Sequence, residues 1–388
     1  MKISLLTDGI YPQFVGGMQK HSTCLAKYLA AKGINVDLYL RVPEQGPSSL
    51  DDQFATGERA RINLHYVPLP VSGYFPGHYL RQSYLYSSRI YEELKPHLDV
   101  DFIYAQGFTA WRLLKEKRKG LKTPPIGVNF HGLEMFQKAP SFKGWLQQWM
   151  FRPFVASILK SSDVVFSLGG KLREIITSVG VSGERIYNSP NGIESSWLVP
   201  EPIDSRAPRR FVFVGRYERR KGIEELAAVM EELAAEGAKC HFDLIGPIPP
   251  SLQSRRENIT YWGTVTDAEQ MKKILRNCDI LLCPSYAEGM PTVILEALAS
   301  GLAVIGSDVG AVSSMVSKNN GWLIAPGDRL QLKDTLLAAI AISSQELAAL
   351  KRESLKRAQS FTWESVIGIT IAEIGRAIAA SARATKLP

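Results

Sequence analysis

Two glutamates, Glu288 and Glu296, stand eight positions apart in a stretch that predicts a strand, a turn and then a helix. Carboxylate oxygens accept hydrogen bonds from hydroxyl groups. Pro291 suits the first helical position, so Gly289 and Met290 present backbone N–H groups at the positive helix end, where anionic or hydroxyl-rich ligands bind. Because helical side chains lean back toward the N-terminus, Glu296 reaches toward the same ligand. The pattern predicts that both glutamates accept hydrogen bonds from one polyhydroxylated ligand. A capped helix with an ordinary acidic residue in its first turns has the same spacing.

Two cations, Arg216 and Lys221, follow the first expected strand in the second half of the chain. Arginine supplies a planar fork and lysine a compact point charge, and both suit a diphosphate. Together they can neutralise the charge that grows on a phosphate leaving group as a glycosidic bond breaks. The neighbouring Arg219 and Arg220 fit a solvated surface better.

A glycine pair, Gly16 and Gly17, lies between the first expected strand and a helix predicted from about Met18 to Lys32. Adjacent glycines let the backbone approach a phosphate closely. A tight turn without a ligand uses the same residues, so the pair predicts a phosphate site only together with the other motifs.

An imidazole, that of His131, follows the apolar run Ile126–Phe130 and precedes Gly132. This order places His131 at the carboxyl end of a strand, where ligands of parallel sheets bind. A purely structural histidine at such a position is equally compatible with the pattern.

Short apolar runs alternate with helix-period segments, which predicts an α/β protein with parallel sheets. Two such sheets facing each other would form a cleft at the carboxyl ends of their strands. The predicted strands of the first half are Ile3–Thr7, Asn35–Leu40, Phe102–Gln106, Ile126–Phe130 and Val164–Leu168. Those of the second half are Phe211–Gly215, His241–Gly246, Ile259–Gly263, Asp279–Pro284, Ala303–Ser307 and Gly321–Ile324.

The predicted domain boundaries follow from a proline-containing stretch without periodicity before residue 209. We expect an N-terminal domain over residues 1–195, a linker over 196–208, and a C-terminal domain over 209–360. A C-terminal helix over 361–388 is expected to pack back toward the first domain.

Composition excludes several classes of protein. The net charge of +8 favours an anionic partner such as a nucleotide or a phospholipid surface, but solubility alone explains it equally well. Acids interrupt the basic residues and no nucleic-acid module is recognisable, so we expect no nucleic-acid partner. The four cysteines lack metal or redox spacing, and neither a signal peptide nor a membrane-spanning run is predicted.

Two stretches, Pro68–Leu98 and Ser141–Ser162, mix aromatic with basic residues. Such mixtures suit the headgroup layer of a membrane. They also suit helices whose rings pack inward while their charges stay solvated. The sequence leaves both interpretations open.

Five separated motifs resemble, in order, those of family 4 of the retaining GT-B glycosyltransferases, over nearly the whole chain. The implied fold is GT-B: two Rossmann-like doubly wound domains face a central cleft, and C-terminal helices close the structure. The motifs are Gly16-Gly17, His131-Gly132, Ser189-Pro-Asn191-Gly192-Ile193, Gly215-Arg216 with Lys221-Gly222, and Glu288 with Glu296.

The resemblance implies roles for the site residues. Arg216 and Lys221 would hold the donor diphosphate, and Glu296 the ribose. Glu288, with the backbone of Gly289, Met290 and Pro291, would hold the donor sugar. His131 would lie beside the transferred sugar, while Gly16 and Gly17 would approach phosphate or acceptor. The catalytic candidates are therefore Glu288, His131, Arg216 and Lys221.

The expected activity is retaining transfer of a hexosyl unit from a nucleotide-diphospho-sugar to a carbohydrate or lipid-linked acceptor, in surface polysaccharide or lipopolysaccharide assembly. Same-face attack and double displacement through Glu288 both remain open. We expect no cofactor and no metal, since Asp99-Val-Asp101 begins a strand and is interpreted as structural. The expected location is cytoplasmic, with peripheral contact to an anionic membrane left open. A nucleotide-sugar epimerase and a non-catalytic nucleotide-sugar-binding protein are the rival functions.

Overall fold

Two parallel sheets organise the chain. The computed structural model describes residues 1–14, 16–42, 53–71, 73, 75, 77–204 and 207–384. The first sheet contains β1 (Lys2–Leu6), β2 (Asn35–Arg41), β3 (Ile62–Val67), β4 (Phe102–Gln106), β5 (Ile126–Asn129), β6 (Val164–Ser167) and β7 (Ile186–Asn188). The second contains β8 (Arg209–Val214), β9 (Cys240–Ile245), β10 (Ile259–Gly263), β11 (Ile280–Cys283), β12 (Ala303–Ser307) and β13 (Gly321–Ile324).

Helices connect the strands and cover both faces of each sheet, as parallel pairing requires. In the first half they are α1 (Gly17–Ala31), α2 (Thr56–Arg59), α3 (His78–Leu94), α4 (Trp111–Arg118), α5 (Phe142–Ser161) and α6 (Lys171–Ser178). In the second half they are α7 (Ile223–Ala235), α8 (Ala268–Arg276), α9 (Thr292–Ala299), α10 (Val312–Met315), α11 (Arg329–Ala341), α12 (Ser344–Gln359) and α13 (Trp363–Ala384).

The six strands of the second sheet repeat the order of the first six strands of the first sheet, which has β7 as a seventh, and both orders contain a reversal that opens a crevice. The first runs β3-β2-β1-β4-β5-β6-β7 and the second β10-β9-β8-β11-β12-β13. Every pairing between these strands is parallel. The order reverses between β1 and β4 and again between β8 and β11, and ligands of open parallel sheets bind outside such points. The predicted pair of Rossmann-like sheets is confirmed.

Alternating side chains divide the core of the first sheet into two layers. Leu5 packs with α1 and α13 on one face, whereas Leu6 packs with α3 and α4 on the other. Successive side chains of a strand point to opposite faces, so a strand covered on both sides reads as a continuous apolar run. That run is the signal by which the central strands were predicted.

Two strands were missed by the sequence analysis, and both lie at the margins of the first sheet. β3 and β7 have half-buried patterns, and β7 is only three residues long. An edge strand covered on one side needs no continuous apolar run, which is why neither produced a strong signal. The helix at Pro291 also begins one residue later than predicted, because Pro291 is its N-cap and Thr292 its first residue.

The chain crosses between the two halves twice, and the crossings lie side by side. On the first crossing Trp197 is buried and the Val199 N–H donates to the Ala299 carbonyl. On the return, the Ile193 N–H donates to the Phe361 carbonyl (2.8 Å) and the Trp363 N–H donates to the Ile193 carbonyl (3.0 Å). Residues 205, 206 and 385–388, inside the predicted linker and tail, lie outside the described residues. The predicted boundaries stay predictions.

The last helix, α13, returns to the first half of the molecule. Val366, Ile367 and Ile374 are buried, and the latter two join the core layer of β1 and α1. By length and composition alone α13 could also cross a membrane. Its packing gives it a defined role here as a cover for the first sheet.

A substitution at the double crossing tests this packing. A Cβ on Gly192 would lie 2.6 to 2.8 Å from ring carbons of Trp363. We expect Gly192→Ala to lower the free energy of unfolding by about 1–3 kcal/mol, because backbone or ring must move. Urea unfolding measures the change. The control is Gly375→Ala inside α13, where a Cβ meets open space; it should be neutral or stabilising by up to about 1 kcal/mol. Equal midpoints for both variants would contradict the packing.

Candidate functional site

The carboxyl ends of the two sheets meet at the loop that contains Glu288. This loop follows β11, and the loop opposite it follows β5. Gln137 of the β5 loop donates from Nε2 to the Glu288 carbonyl (2.7 Å) and accepts from the Glu288 N–H at Oε1 (3.3 Å). One carboxamide therefore ties the predicted donor loop to the opposite domain.

Glu288 is 5% exposed, and its carboxylate is surrounded by donors. Oε1 accepts from Lys221 Nζ (2.6 Å) and from Ser285 Oγ (2.7 Å), while Oε2 lies 3.7 Å from Arg220 Nη1. A buried charge is costly unless it is paired and hydrogen-bonded. The structure thus brings two predicted site residues, Glu288 and Lys221, into direct contact. It also corrects the assignment of Arg220 to a solvated surface, since this residue is half-buried beside Glu288.

Arg216 has a different environment from Lys221. Its side chain is 70% exposed, and Nη1 lies 3.1 Å from Glu218 Oε1. The structure does not bring it to the Glu288 carboxylate. It stands directly after β8, at the rim of the cleft, where a planar cation is open to an incoming anion.

The second glutamate of the pair, Glu296, is buried on α9 and reaches the first half of the chain. Its Oε1 lies 3.2 Å from Nζ of Lys20 on α1. Burial lowers the pKa of Lys20, but the Glu296 carboxylate outweighs that effect and the pKa is raised overall. Each glutamate is therefore bound to its own lysine. Lys20 was not predicted, because the contact spans 276 positions and leaves no local pattern.

A glycine lets the two domains approach closely at the donor loop, since a Cβ on Gly289 would lie 1.9 Å from the His131 carbonyl oxygen. Within the second domain, a Cβ on Gly310 would lie 2.2 Å from the Glu288 carbonyl oxygen. Asn191, part of the third sequence motif, donates from Nδ2 to the Met290 carbonyl (2.8 Å). Gly289 and Met290 thus have a structural reason for their positions next to the first domain.

His131 occupies a strained turn at the end of β5. Its φ of 58° lies in the left-handed region that non-glycine residues seldom adopt. Asn129 Oδ1 accepts from the His131 N–H (2.8 Å) and supports this turn. Nε2 of the ring lies 2.6 Å from Gln106 Oε1. Burial lowers the pKa of His131 to about 3, so the imidazole is neutral.

A second histidine, His21 of α1, completes the surroundings of His131. Their rings are 4.5 Å apart in an edge-to-face arrangement, and Gln106 Nε2 lies 3.1 Å from His21 Nδ1. Burial lowers the pKa of His21 well below its usual value, and the adjacent His131 adds to the effect. The carboxamide of Gln106 thus bridges two neutral rings. Gln106 ends a predicted strand, and its position at a strand's carboxyl end was the available signal.

Gly16 and Gly17 lie at the start of α1, the helix that carries Lys20 and His21. Gly16 is the N-cap residue and Gly17 the first helical residue, one position earlier than predicted. A Cβ on Gly17 would meet open space, so the backbone there is accessible. The glycines therefore begin the helix that delivers one side chain to Glu296 and another to His131.

An apolar cavity of about 490 Å³ adjoins this cluster on the side of the first domain. Asp8 and Gln106 line it from the strand ends, Tyr79 from α3 and Phe151 from α5, and it extends to Arg220. Burial raises the pKa of Asp8, against the opposing effect of its hydrogen bond from Gln19. The cavity can take a ligand with both hydroxyl groups and apolar surface.

A metal-binding site requires a cluster of side chains that can act as ligands. Within the part of the chain that the structure describes, no group of three or more His, Cys, Asp or Glu side chains is arranged to hold a metal ion. Asp101 at the start of β4 accepts from the Lys2 N–H (2.7 Å), as a structural residue does.

The neutral state of the two rings predicts a measurable pH response. Because folded His131 has a pKa of about 3 and an unfolded histidine one of about 6.5, the unfolded chain binds more protons as the pH falls below 6.5. The stability of the fold should therefore decrease from there toward pH 3. Side-chain ¹⁵N NMR should show His21 and His131 uncharged from pH 8 to 5, with the urea-unfolded chain as the titrating control. A cationic His131 at pH 6 would contradict the assignment.

Comparison with curated proteins gives a close match over part of the chain. The chain is 38% identical over 223 residues to the putative teichuronic acid biosynthesis glycosyltransferase TuaC of Bacillus subtilis (strain 168). This match covers 55% of the chain and spans only about half (54%) of TuaC.

Solved structures with the same fold cover nearly the whole chain. Sucrose-phosphate synthase from Thermosynechococcus elongatus has a TM-score of 0.76 at 20% identity, covering 98% of this chain and 99% of that one. The lipopolysaccharide outer core galactosyltransferase WaaB has 0.71 at 18%, covering 98% and 100%. Anabaena Alr3699/HepE, in complex with UDP-glucose, has 0.64 at 16%, covering 96% and 99%. These likenesses confirm the GT-B fold.

Family models match both halves of the chain in order. The model described as Glycosyltransferase Family 4 matches residues 15–197, and the one described as Glycosyl transferases group 1 matches residues 208–341. The two ranges contain the glycine pair, His131, Arg216 and Lys221, and both glutamates. The chain therefore belongs to the group 1, family 4 glycosyltransferases.

Proposed function

We propose that this protein is a retaining hexosyltransferase that uses a nucleotide-diphospho-sugar as donor. The observation that carries the proposal is the pairing of Glu288 with Lys221 in a loop held against the first domain by Gln137. A hydroxyl-binding carboxylate and a phosphate-binding cation are thereby adjacent at the carboxyl ends of two facing sheets. A sugar and its diphosphate need such a juxtaposition.

The donor's diphosphate would lie between Lys221 and the exposed Arg216. Arg216 can swing from Glu218 to a phosphate, because its side chain is largely solvated and a charged phosphate is the stronger acceptor. The Glu296 carboxylate would bind the ribose in exchange for, or together with, Lys20. The complexes of Anabaena HepE with UDP and with UDP-glucose support a nucleotide hexose of this kind.

The chemistry follows from which groups are neutral and which are charged. The bond between the anomeric carbon and the phosphate oxygen breaks, the acceptor oxygen forms the new bond on the same face, and the departing phosphate oxygen takes the acceptor proton. Lys221 and Arg216 stabilise the charge on the leaving phosphate. Glu288, whose oxygens are already held by Lys221, Ser285 and Arg220, acts as a hydroxyl acceptor in this scheme and not as the nucleophile. Neutral His131 orients the sugar without adding positive charge near the anomeric carbon.

The acceptor would be a carbohydrate or a lipid-linked saccharide, in the assembly of a cell-surface polysaccharide or lipopolysaccharide. TuaC, named for teichuronic acid biosynthesis, and WaaB, named for the lipopolysaccharide outer core, support this class. We place the enzyme in the cytoplasm, in peripheral contact with an anionic membrane. Lys221 and Arg216 supply the positive charge that a divalent metal ion supplies in other enzymes. We therefore propose that no metal or other cofactor is needed.

Donor binding provides the first test. Among UDP-, GDP- and ADP-sugars, we expect one to raise the melting temperature of the wild type, because binding to the folded state stabilises it. Arg216→Ala should weaken that donor by about 10- to 100-fold, the loss of a charge-assisted hydrogen bond. The matched control is Arg256→Ala, another partly exposed arginine of the second domain paired with a glutamate, Glu231. If no nucleotide sugar binds, the proposal fails. If the arginine variants behave alike, the role of Arg216 fails.

Turnover provides the second test. We expect the product to keep the anomeric configuration of the donor, read from its ¹H NMR coupling, and to form at the same rate in EDTA. Glu288→Gln should reduce transfer by at least about 100-fold, since one site acceptor becomes partly a donor. Inversion of the anomer, or loss of activity in EDTA that Mg²⁺ restores, would overturn the corresponding part of the mechanism. An isomerised nucleotide sugar formed without acceptor would identify an epimerase, and tight binding without turnover would identify a binding protein.

A further inference from the structure

The outer side of α5 carries a continuous apolar stripe that no part of the described chain covers. Phe142, Trp145 and Trp149 are 78%, 45% and 58% exposed. Leu146 and Met150 are exposed beside them. The spacing i, i+3, i+4, i+7, i+8 puts all five on one side of the helix. We call these five residues the α5 face. Soluble monomers seldom expose so contiguous an apolar patch without a binding role.

The same helix is also apolar on its inner side, which explains why its sequence shows no simple amphipathic pattern. Val155, Ile158 and Leu159 are buried in the first domain. Folding of the domain therefore accounts for the inner side only. The α5 face needs a separate explanation.

The charges carried by α5 itself have one sign. No aspartate or glutamate occurs between residues 135 and 162, whereas Lys143 and Lys160 are exposed on the helix itself. A second acid-free stretch, residues 59–91, contributes the exposed Phe75 and Tyr79, and the Tyr79 ring lies 5.9 Å from that of Phe151. Rings interspersed with cations match the headgroup layer of an anionic bilayer, where amphipathic rings and lysines anchor. The five residues of the α5 face offer no carboxylate to a basic partner.

The apolar cavity lies directly behind this helix. Gly144, Gln147 and Phe151 of α5 line it, and Arg220 lines it too. Arg220 lies 3.7 Å from Glu288 Oε2, at the proposed donor site. One helix thus separates the α5 face from a pocket that ends beside the donor sugar. A membrane-anchored acceptor needs this connection.

We propose that the α5 face docks onto an anionic membrane and that the cavity behind it takes a lipid-linked saccharide, with the saccharide toward Arg220 and the apolar anchor toward α5. This inference rests on the proposed transferase function and narrows its acceptor to one class. Asp8 and the aromatic rings of the cavity suit an uncharged, hydroxyl-bearing sugar, because a phosphate there would face the carboxylates of Asp8 and Glu134.

Flotation with vesicles tests the docking surface. The full chain should float with phosphatidylglycerol–phosphatidylcholine vesicles at low salt and less with pure phosphatidylcholine, since both rings and charges contribute. Trp145→Gln/Trp149→Gln should reduce the bound fraction at least about tenfold, because both rings leave the interface. The matched control, Leu252→Gln/Leu330→Gln, replaces two exposed apolar residues of the second domain and should float like the wild type.

Three results would overturn the docking proposal: a wild type that fails to float at low salt, a tryptophan variant that floats as well as its control, or a wild type that floats equally on neutral vesicles. Sedimentation velocity without lipid gives a fourth. If the wild type is a dimer and Trp145→Gln/Trp149→Gln a monomer, the α5 face is a protein interface. Unchanged melting temperatures and donor-induced shifts in the variants show that fold and donor site are intact, which separates failure of docking from failure of the transferase function.

The cavity is tested with dodecyl maltoside, an alkyl-linked saccharide, below its micelle concentration. It should raise the melting temperature of the wild type, whereas maltose alone should not, because only the former fills the apolar part of the cavity. Phe151→Ala should reduce the shift, and Leu252→Gln/Leu330→Gln should preserve it. Equal shifts with both sugars, no shift, or a shift that Phe151→Ala leaves unchanged would overturn the acceptor assignment.

Discussion

The organisation of the site depends on the burial of one carboxylate. Glu288 is almost inaccessible to water, and a charge in such a place is tolerated only with partners that replace hydration. Lys221, Ser285 and Arg220 supply them from two different turns of the second domain. The loop that carries Glu288 is in turn bound to Gln137 of the first domain. The pairing of this charge therefore joins the β8 turn to the β11 loop, and the backbone of Glu288 adds the β5 loop to the same assembly.

The first domain contributes side chains to the site beside Glu288 and Glu296. Its helix α1 sends Lys20 to Glu296 and His21 to His131, so one rigid element contacts both ends of the cluster. Gln106 holds the two neutral rings together. Rigid support of this kind holds side chains in fixed positions, which they would not keep in a solvent-filled cleft without it. The sugar would thus be bound by charges from one domain and by neutral rings from the other.

Sequence reasoning predicted the parts of this structure that have a local signature. Strands covered on both faces produce apolar runs, and the glycine pair, His131 and the glutamate pair follow those runs. It missed β3 and β7, which are covered less completely, and it missed Lys20, Gln106 and Gln137. Their partners lie from 25 to 276 positions away, a relation that only the folded chain creates. It also left α5 undecided, because a helix that is apolar on both sides has the same sequence whether or not its outer side is covered.

The double crossing beside Trp363 constrains how the cleft can open. Because Ile193 is hydrogen-bonded on both sides to residues of the returning chain, the two connections are joined side by side. A single tether would let the domains twist, slide and bend with respect to each other. Two tethers joined along their length resist the first two of these motions and leave bending about their common line as the soft one. The chain's return to its first half thus converts a flexible connection into a hinge with one preferred axis. Each closure about that axis brings the same side chains opposite one another.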